Sequence, residues 1–164
     1  MKVMNYKSYP CSNDLQAKAS DLGFVRIGIA EASEVPQSIL DYYKTWIDNG
    51  CHGEMAYMER YEEVRRNPQL LLDNAQSIIA VVANYHSPTK SQQNMPKWAS
   101  YALGDDYHDV MREKLSQLAS FIQENWGGTT RICVDTAPIF ERYWAQQAGV
   151  GFIGRNSMLI VPEI

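Results

Sequence analysis

The chain has 164 residues, 45% of them hydrophobic and 21% charged, with a formal net charge of −4 at pH 7. That composition fits a single globular domain over 1–164 and excludes a low-complexity or fibrous chain. The acidic balance argues against a dedicated nucleic-acid domain, because phosphate contacts are normally carried by a basic patch.

Three cysteines (Cys11, Cys51, Cys133) lack paired spacing, so no disulfide framework is expected. No CxxC occurs, which leaves no recognisable zinc or iron–sulfur ligand set. The N-terminal residues lack the apolar core of a signal peptide, and the longest apolar run, Ile78 to Ala83, is far too short for a membrane span. A cytoplasmic, reduced protein is expected.

In chain order, Ser12 or Asn13 caps a first helix carrying Leu15, Ala19 and Leu22, and Gly23 ends it. Phe24 to Ala30 alternates as a strand. Pro36 sits near the start of a second helix whose Ile39, Leu40, Tyr43, Trp46 and Ile47 recur at helical spacing, with Gly50 as the stop. The segment from Cys51 to Met55 interrupts this pattern, and Glu59 to Pro68 reads as exposed and charged. Leu70 to Asp73 predicts a short helical turn.

Ser77 to Asn84 is apolar on both faces, which predicts a central strand covered on both sides. A polar loop follows from His86 to Pro96. Asp105 or Asp106 starts the longest helix, which runs to about Trp126 with Val110, Met111, Leu115, Leu118, Phe121 and Ile122 as its stripe. A strand Arg131–Val134, a helix from Pro138 and a last strand Met158–Val161 complete the prediction. Alternating strands and helices predict an α/β or α+β class, a mixed sheet covered by helices.

Two segments carry candidate chemistry. Asp135 stands at the end of the Arg131–Val134 strand among apolar neighbours, where a partly desolvated carboxyl could hold and donate a proton. An equal alternative is an N-cap by Asp135 or Thr136 before Pro138. The loop from Gly149 to Ser157 holds glycines at 149, 151 and 154 and ends in Arg155, Asn156 and Ser157, a backbone that permits close approach beside three donor side chains. Its alternative is a helix end followed by a turn. Cys51 and His52 are adjacent and poorly placed to act as a thiol–imidazole pair. His86 and His108 read as structural or pocket-lining, and the Ser100–His108 stretch as a loop-to-helix junction.

The motifs occur together in one order: His52-Gly-Glu-Met-Ala-Tyr-Met58, Arg65 with Pro68, Tyr101-Ala-Leu-Gly-Asp-Asp-Tyr-His108, Val134-Asp-Thr-Ala-Pro138 with Glu141-Arg142, and Ala148-Gly-Val-Gly-Phe-Ile-Gly-Arg-Asn156. From about Asp14 onward the chain resembles the N-terminal half of epoxyqueuosine reductases. The resemblance implies a cobalamin-binding domain related in fold to reductive dehalogenases and flavin nitroreductases. It implies reduction of epoxyqueuosine to queuosine at the wobble position of tRNA, so the anticodon region of tRNA is the expected partner. Electrons would come from two 4Fe-4S clusters in a ferredoxin-like C-terminal domain, whose ligands are not in this sequence.

The resemblance assigns the proton-donor role to Asp135 and cofactor contacts to Arg65, Ser100, Gly154, Arg155, Asn156 and Ser157. It implies a truncated form, inactive alone, with an apolar face through which a homodimer could form. A non-catalytic binding module of the same fold and a flavin-dependent reductase are the competing expectations.

Overall fold

The computed structural model describes residues 12–85, 99 and 104–162. Helix α1 (Asn13–Asp21) is capped by Ser12, whose Oγ accepts the Leu15 N–H at 3.2 Å. It leads into strand β1 (Phe24–Glu31). Helix α2 (Gln37–Asp48) follows Pro36, and a 3₁₀ turn occupies Ala56–Glu59. Helix α3 (Glu62–Arg66) is short, and a second 3₁₀ turn, Pro68–Leu70, precedes strand β2 (Ser77–Ala83).

Helix α4 (Tyr107–Trp126) is the longest element, capped by Asp106. Helix α5 (Glu141–Gln147) then leads into a hairpin of β3 (Phe152–Ile153) and β4 (Leu159–Ile160).

Strands β1 and β2 pair antiparallel, Ile27 opposite Val81 and Ile29 opposite Ile79, with a bulge between Phe24 and Arg26. Alternation then sends successive side chains of β2 to opposite faces. Ile78, Ala80 and Val82 pack with Leu40 of α2, Trp144 and Ala148 of α5, and Val150. Ile79, Val81 and Ala83 pack with Leu15 and Ala19 of α1 and with Leu118, Phe121 and Ile122 of α4. Helices therefore cover both faces, as the unbroken apolar run of β2 predicts. Among the described residues, however, β2 pairs only with β1, so it is not the central strand expected.

One glycine sets the distance between layers. A Cβ on Gly28, in the middle of β1, would lie 2.2 Å from the Ala148 carbonyl oxygen and 2.8 Å from Val150 Cγ1. The absent side chain lets the C-terminal end of α5 rest directly on the strand. That docking fixes the direction in which the first turn of α5 points.

Four expectations are corrected. Arg131–Val134 belongs to no sheet among the described residues, because no described strand lies beside it to complete its backbone hydrogen bonds. The helix expected from Pro138 begins at Glu141, after bends at 134–139. The helical turn expected at Leu70–Asp73 forms earlier, at Pro68–Leu70, where Asn67 Oδ1 accepts the Gln69 N–H at 3.0 Å. The charged stretch Glu59–Pro68 is not uniformly exposed: Arg65 and Pro68 are buried, since α3 folds back and its Arg66 carbonyl accepts the Val35 N–H at 2.8 Å. The polar loop His86–Pro96 lies outside the described residues.

Candidate functional site

Asp135 occupies the bend between the Arg131–Val134 segment and α5, with φ at +51°. A non-glycine residue held in the left-handed region is costly, and such positions persist only where surrounding contacts hold them. Here the contacts are visible. The Asp135 N–H donates to Glu141 Oε1 at 2.9 Å, and the Tyr107 hydroxyl donates to Asp135 Oδ2. His108 Nε2 lies 3.5 Å from the same Oδ2.

On its other edge, His108 Nδ1 stands 2.8 Å from Asp106 Oδ1, which also accepts the His108 backbone N–H at 2.9 Å. The first turn of α4 and the first turn of α5 thus close on one residue.

The electrostatics follow from these contacts. The hydrogen bond to Asp135 is the main cause that pushes the Tyr107 phenol up to about 12. The His108 backbone N–H, followed by its ring, holds the Asp106 carboxyl below the usual range. Burial, more than the neighbouring Asp135 charge, raises Glu141 above it. Burial likewise pushes up the Cys133 thiol.

The Asp135 side chain itself is 48% exposed. The expected N-cap is absent: Phe140 holds that position in α5 without a side-chain cap, and Thr136 Oγ1 donates to Val134 O.

The glycine loop does not stay a loop: Phe152–Ile153 within it forms β3, and Gly154–Ser157 make the turn of the β3–β4 hairpin. The Ser157 N–H donates to the Gly154 carbonyl at 2.9 Å, and Asn156 Oδ1 accepts the Met158 N–H at 3.1 Å. A Cβ on Gly151 would lie 2.5 Å from the Ile160 carbonyl oxygen, so this glycine serves the hairpin itself. Arg155, Asn156 and Ser157 are exposed. Helix α5 joins this turn to the Asp135 bend: Glu141 takes the Asp135 N–H, and the next residue, Arg142, donates to the Ser157 carbonyl.

Arg65 lies in a third place, 7% exposed, with its guanidinium 5.7 Å from the Tyr43 ring centroid. Tyr43 packs edge-on against Phe140, which immediately precedes Glu141. Among the described residues the Arg65 Nε has no hydrogen-bond partner. His52 is also buried, paired through Nε2 with Glu59 at 2.7 Å and with no partner at Nδ1 among those residues. The exposed Cys51 thiol points to the Asn49 carbonyl and His52 to Glu59, so the thiol–imidazole pair does not form. Ser100 lies outside the described residues.

The structure therefore brings Asp135 together with Gly154–Ser157 through α5, and places Arg65 behind Tyr43 and Phe140. Sequence reasoning underrated Tyr107, His108 and Asp106, which it read as a helix junction. That reading is correct for Asp106 and incomplete for its neighbours.

Fold and site together define an α/β domain that presents a solvent-facing acid–base cluster beside a glycine hairpin. Comparison with known proteins narrows this. The family profile "Epoxyqueuosine reductase QueG, DUF1730" matches residues 65–136. The epoxyqueuosine reductase of Cellulophaga algicola is 38% identical over 153 residues, covering 93% of this chain and 50% of the relative. That of Vibrio cholerae is 35% identical over 161 residues, covering 93% and 42%.

A crystal structure of epoxyqueuosine reductase with an epoxyqueuosine-modified tRNA-Tyr stem loop superposes with a TM-score of 0.80 at 31% identity, covering 92% of this chain and 41% of that one. The Bacillus subtilis enzyme, seen with the catalytic loop that bears its aspartate swung out of the active site, gives 0.74 at 28% identity, covering 92% and 41%. The chain belongs to the epoxyqueuosine reductase family and spans about half the length of the curated relatives it matches. Among the described residues no helix is long and apolar enough to cross a membrane, and no group of three His, Cys, Asp or Glu residues is placed to hold a metal ion.

Proposed function

We propose that this chain forms the cobalamin-binding, acid-bearing part of a cytoplasmic epoxyqueuosine reductase, with Asp135 as the proton donor. The reading is that of an oxidoreductase acting on epoxyqueuosine in the anticodon region of tRNA and yielding queuosine. The fold would be of the reductive dehalogenase and nitroreductase-like kind, with 4Fe-4S clusters elsewhere in the whole enzyme delivering electrons. The observation that carries the reading is Asp135, set in a left-handed bend by Glu141, contacted by Tyr107 and His108, and still open to solvent.

The residues fit a cobalamin. The buried Arg65 guanidinium, whose Nε has no partner among the described residues, suits an anionic or amide oxygen of the cofactor. The exposed Arg155, Asn156 and Ser157 of the turn offer side-chain donors to a macrocycle edge, with the half-buried Gly154 beside them, and Ser100 would join them. When bound, cobalamin supplies the reducing electrons.

This chain's own residues do the rest. Opening an epoxide builds negative charge on oxygen, and the proton that quenches it comes from the Asp135 carboxyl. Glu141 keeps the bend in place, and Arg142 holds the glycine turn against the same helix end.

The test is retention of hydroxocobalamin by the purified chain through gel filtration, for wild type and Asp135→Asn. Both should retain it. In the whole enzyme, with titanium(III) citrate as reductant and an epoxyqueuosine stem loop as substrate, Asp135→Asn should then form no queuosine while the wild type does. A folded wild-type chain that retains no corrinoid, or that retains flavin in its place, sinks the cofactor assignment. Loss of folding in Asp135→Asn would make Asp135 a structural residue.

A further inference from the structure

Two side chains meet the Asp135 carboxyl on one oxygen. The Tyr107 hydroxyl and His108 Nε2 both address Oδ2, and among the described residues no side chain addresses Oδ1. We propose that Tyr107 and His108 are positioning residues for Asp135, Tyr107 fixing the carboxyl and His108, oriented by Asp106, exchanging a proton with it. This inference rests on Asp135 being the acid of the site.

The geometry assigns the roles. With the Tyr107 hydroxyl and the His108 ring both beside Oδ2, Oδ1 is the oxygen left open to a reacting partner. A carboxylate formed there already faces the Tyr107 hydroxyl, so it is stabilised without rearrangement. To restore the acid, a His108 ring protonated at Nε2 by water passes that proton to the carboxylate. One N–H bond breaks, one O–H bond forms, and an imidazolium–carboxylate pair becomes two neutral groups.

The neutral imidazole keeps its Nδ1–H on Asp106, 2.8 Å away, and takes its next proton from water. Its side chain is 29% exposed, so that exchange needs no opening of the fold. Tyr107 has a different part. Pushed up to about 12 by the Asp135 bond, it keeps its proton throughout and serves only as a donor.

The other charged groups at this place are Glu141, which accepts the Asp135 N–H, Arg142, directed to Ser157, and Arg131, which acts on Cys133. None of them offers a second proton path to Oδ2. The Tyr107 and His108 rings lie tilted against each other, with centroids 4.0 Å apart, which holds the two side chains together at the carboxyl.

The test uses the full chain with ¹⁵N-histidine and ¹³C-tyrosine labels. The sequence holds three histidines, so signals are assigned by the loss of one in His108→Gln and of one tyrosine in Tyr107→Phe. At about pH 8, above the usual imidazole range, His108 should occupy the Nδ1–H tautomer. Asp106→Ala should return it toward the Nε2–H form that free imidazole prefers. At about pH 11, where an ordinary tyrosine has lost its proton, Tyr107 should still carry one, and Asp135→Ala should abolish that retention.

An Nε2–H tautomer in the wild type, or a Tyr107 signal indifferent to Asp135→Ala, overturns the proposal. If the fold does not survive alkali, the tautomer decides alone. Asp106→Asn and Asp135→Asn replace any alanine variant that does not fold. Neither readout needs cofactor or turnover. A chain that passes both yet retains no cobalamin refutes the cofactor assignment and leaves this network standing.

Discussion

Gly28→Ala tests how the scaffold aims the site. Gly28 pairs with Ala80 in the middle of β1, and the added methyl would sit 2.2 Å from the Ala148 carbonyl oxygen and 2.8 Å from Val150 Cγ1. Comfortable carbon contacts begin at about 3.5 Å. The nearer obstacle is backbone at the end of α5, so relief requires the helix and strand to separate, not a side chain to turn. Over-packing a core costs about 1–3 kcal/mol, and a backbone obstacle puts this substitution at about 3 kcal/mol. For a domain of this size that is a fall in Tm of roughly 6–12 °C. In urea, with a slope of about 2 kcal/mol per M, the midpoint should drop by roughly 1.5 M.

Gly50→Ala is the control. Its φ is +66° and nothing lies within 4 Å of the methyl it would gain. Left-handed backbone strain of about 1–2 kcal/mol is therefore the whole expected cost. The variant at Gly28 should also lose cobalamin retention in proportion, because the α5 residues Glu141 and Arg142 would move with the helix. A Gly28→Ala chain no less stable than Gly50→Ala would refute the packing argument.

Arg65→Met removes a buried charge that has no ion-pair partner among the described residues while keeping a chain that can lie on Tyr43. It gives up only the cation–π contact with Tyr43 and leaves no orphaned partner. The cofactor-free chain should therefore be about as stable in urea, since a buried charge without an ion-pair partner among the described residues is itself a cost. Cofactor retention should fall, and a loss of more than about 2 kcal/mol in stability would show the guanidinium to be structural. Glu141 gives a pH test. Its folded pKa is raised, chiefly by burial, so its contribution is fully present below the ordinary carboxylate pKa and is lost as pH rises through the folded value. Urea midpoints of the wild type should therefore decline relative to Glu141→Gln as pH rises from about 4 to 7, and parallel curves would contradict the assignment.

Much of the scaffold was written locally. The Ser12 cap, the Gly23 and Gly50 stops and the 3.6-residue stripes of α2 and α4 act within a few residues of one another, so sequence alone located these elements to within a residue or two. The unbroken apolar run of β2 likewise announced that both of its faces are covered. Sequence also singled out Asp135 and the glycine turn as places for chemistry.

Tertiary structure decided what alternation cannot encode. Whether Arg131–Val134 becomes a strand depends on a partner at bonding distance, and none stands there among the described residues. Burial of Arg65 depends on α3 folding against Val35. The setting of Asp135 depends on groups from positions 106–108 and 141, brought together because Gly28 admits α5 to the sheet and α4 packs on the opposite face. Caps and stripes are short-range and survive in the order of the residues; a carboxyl's neighbours are long-range and exist only once the layers have closed.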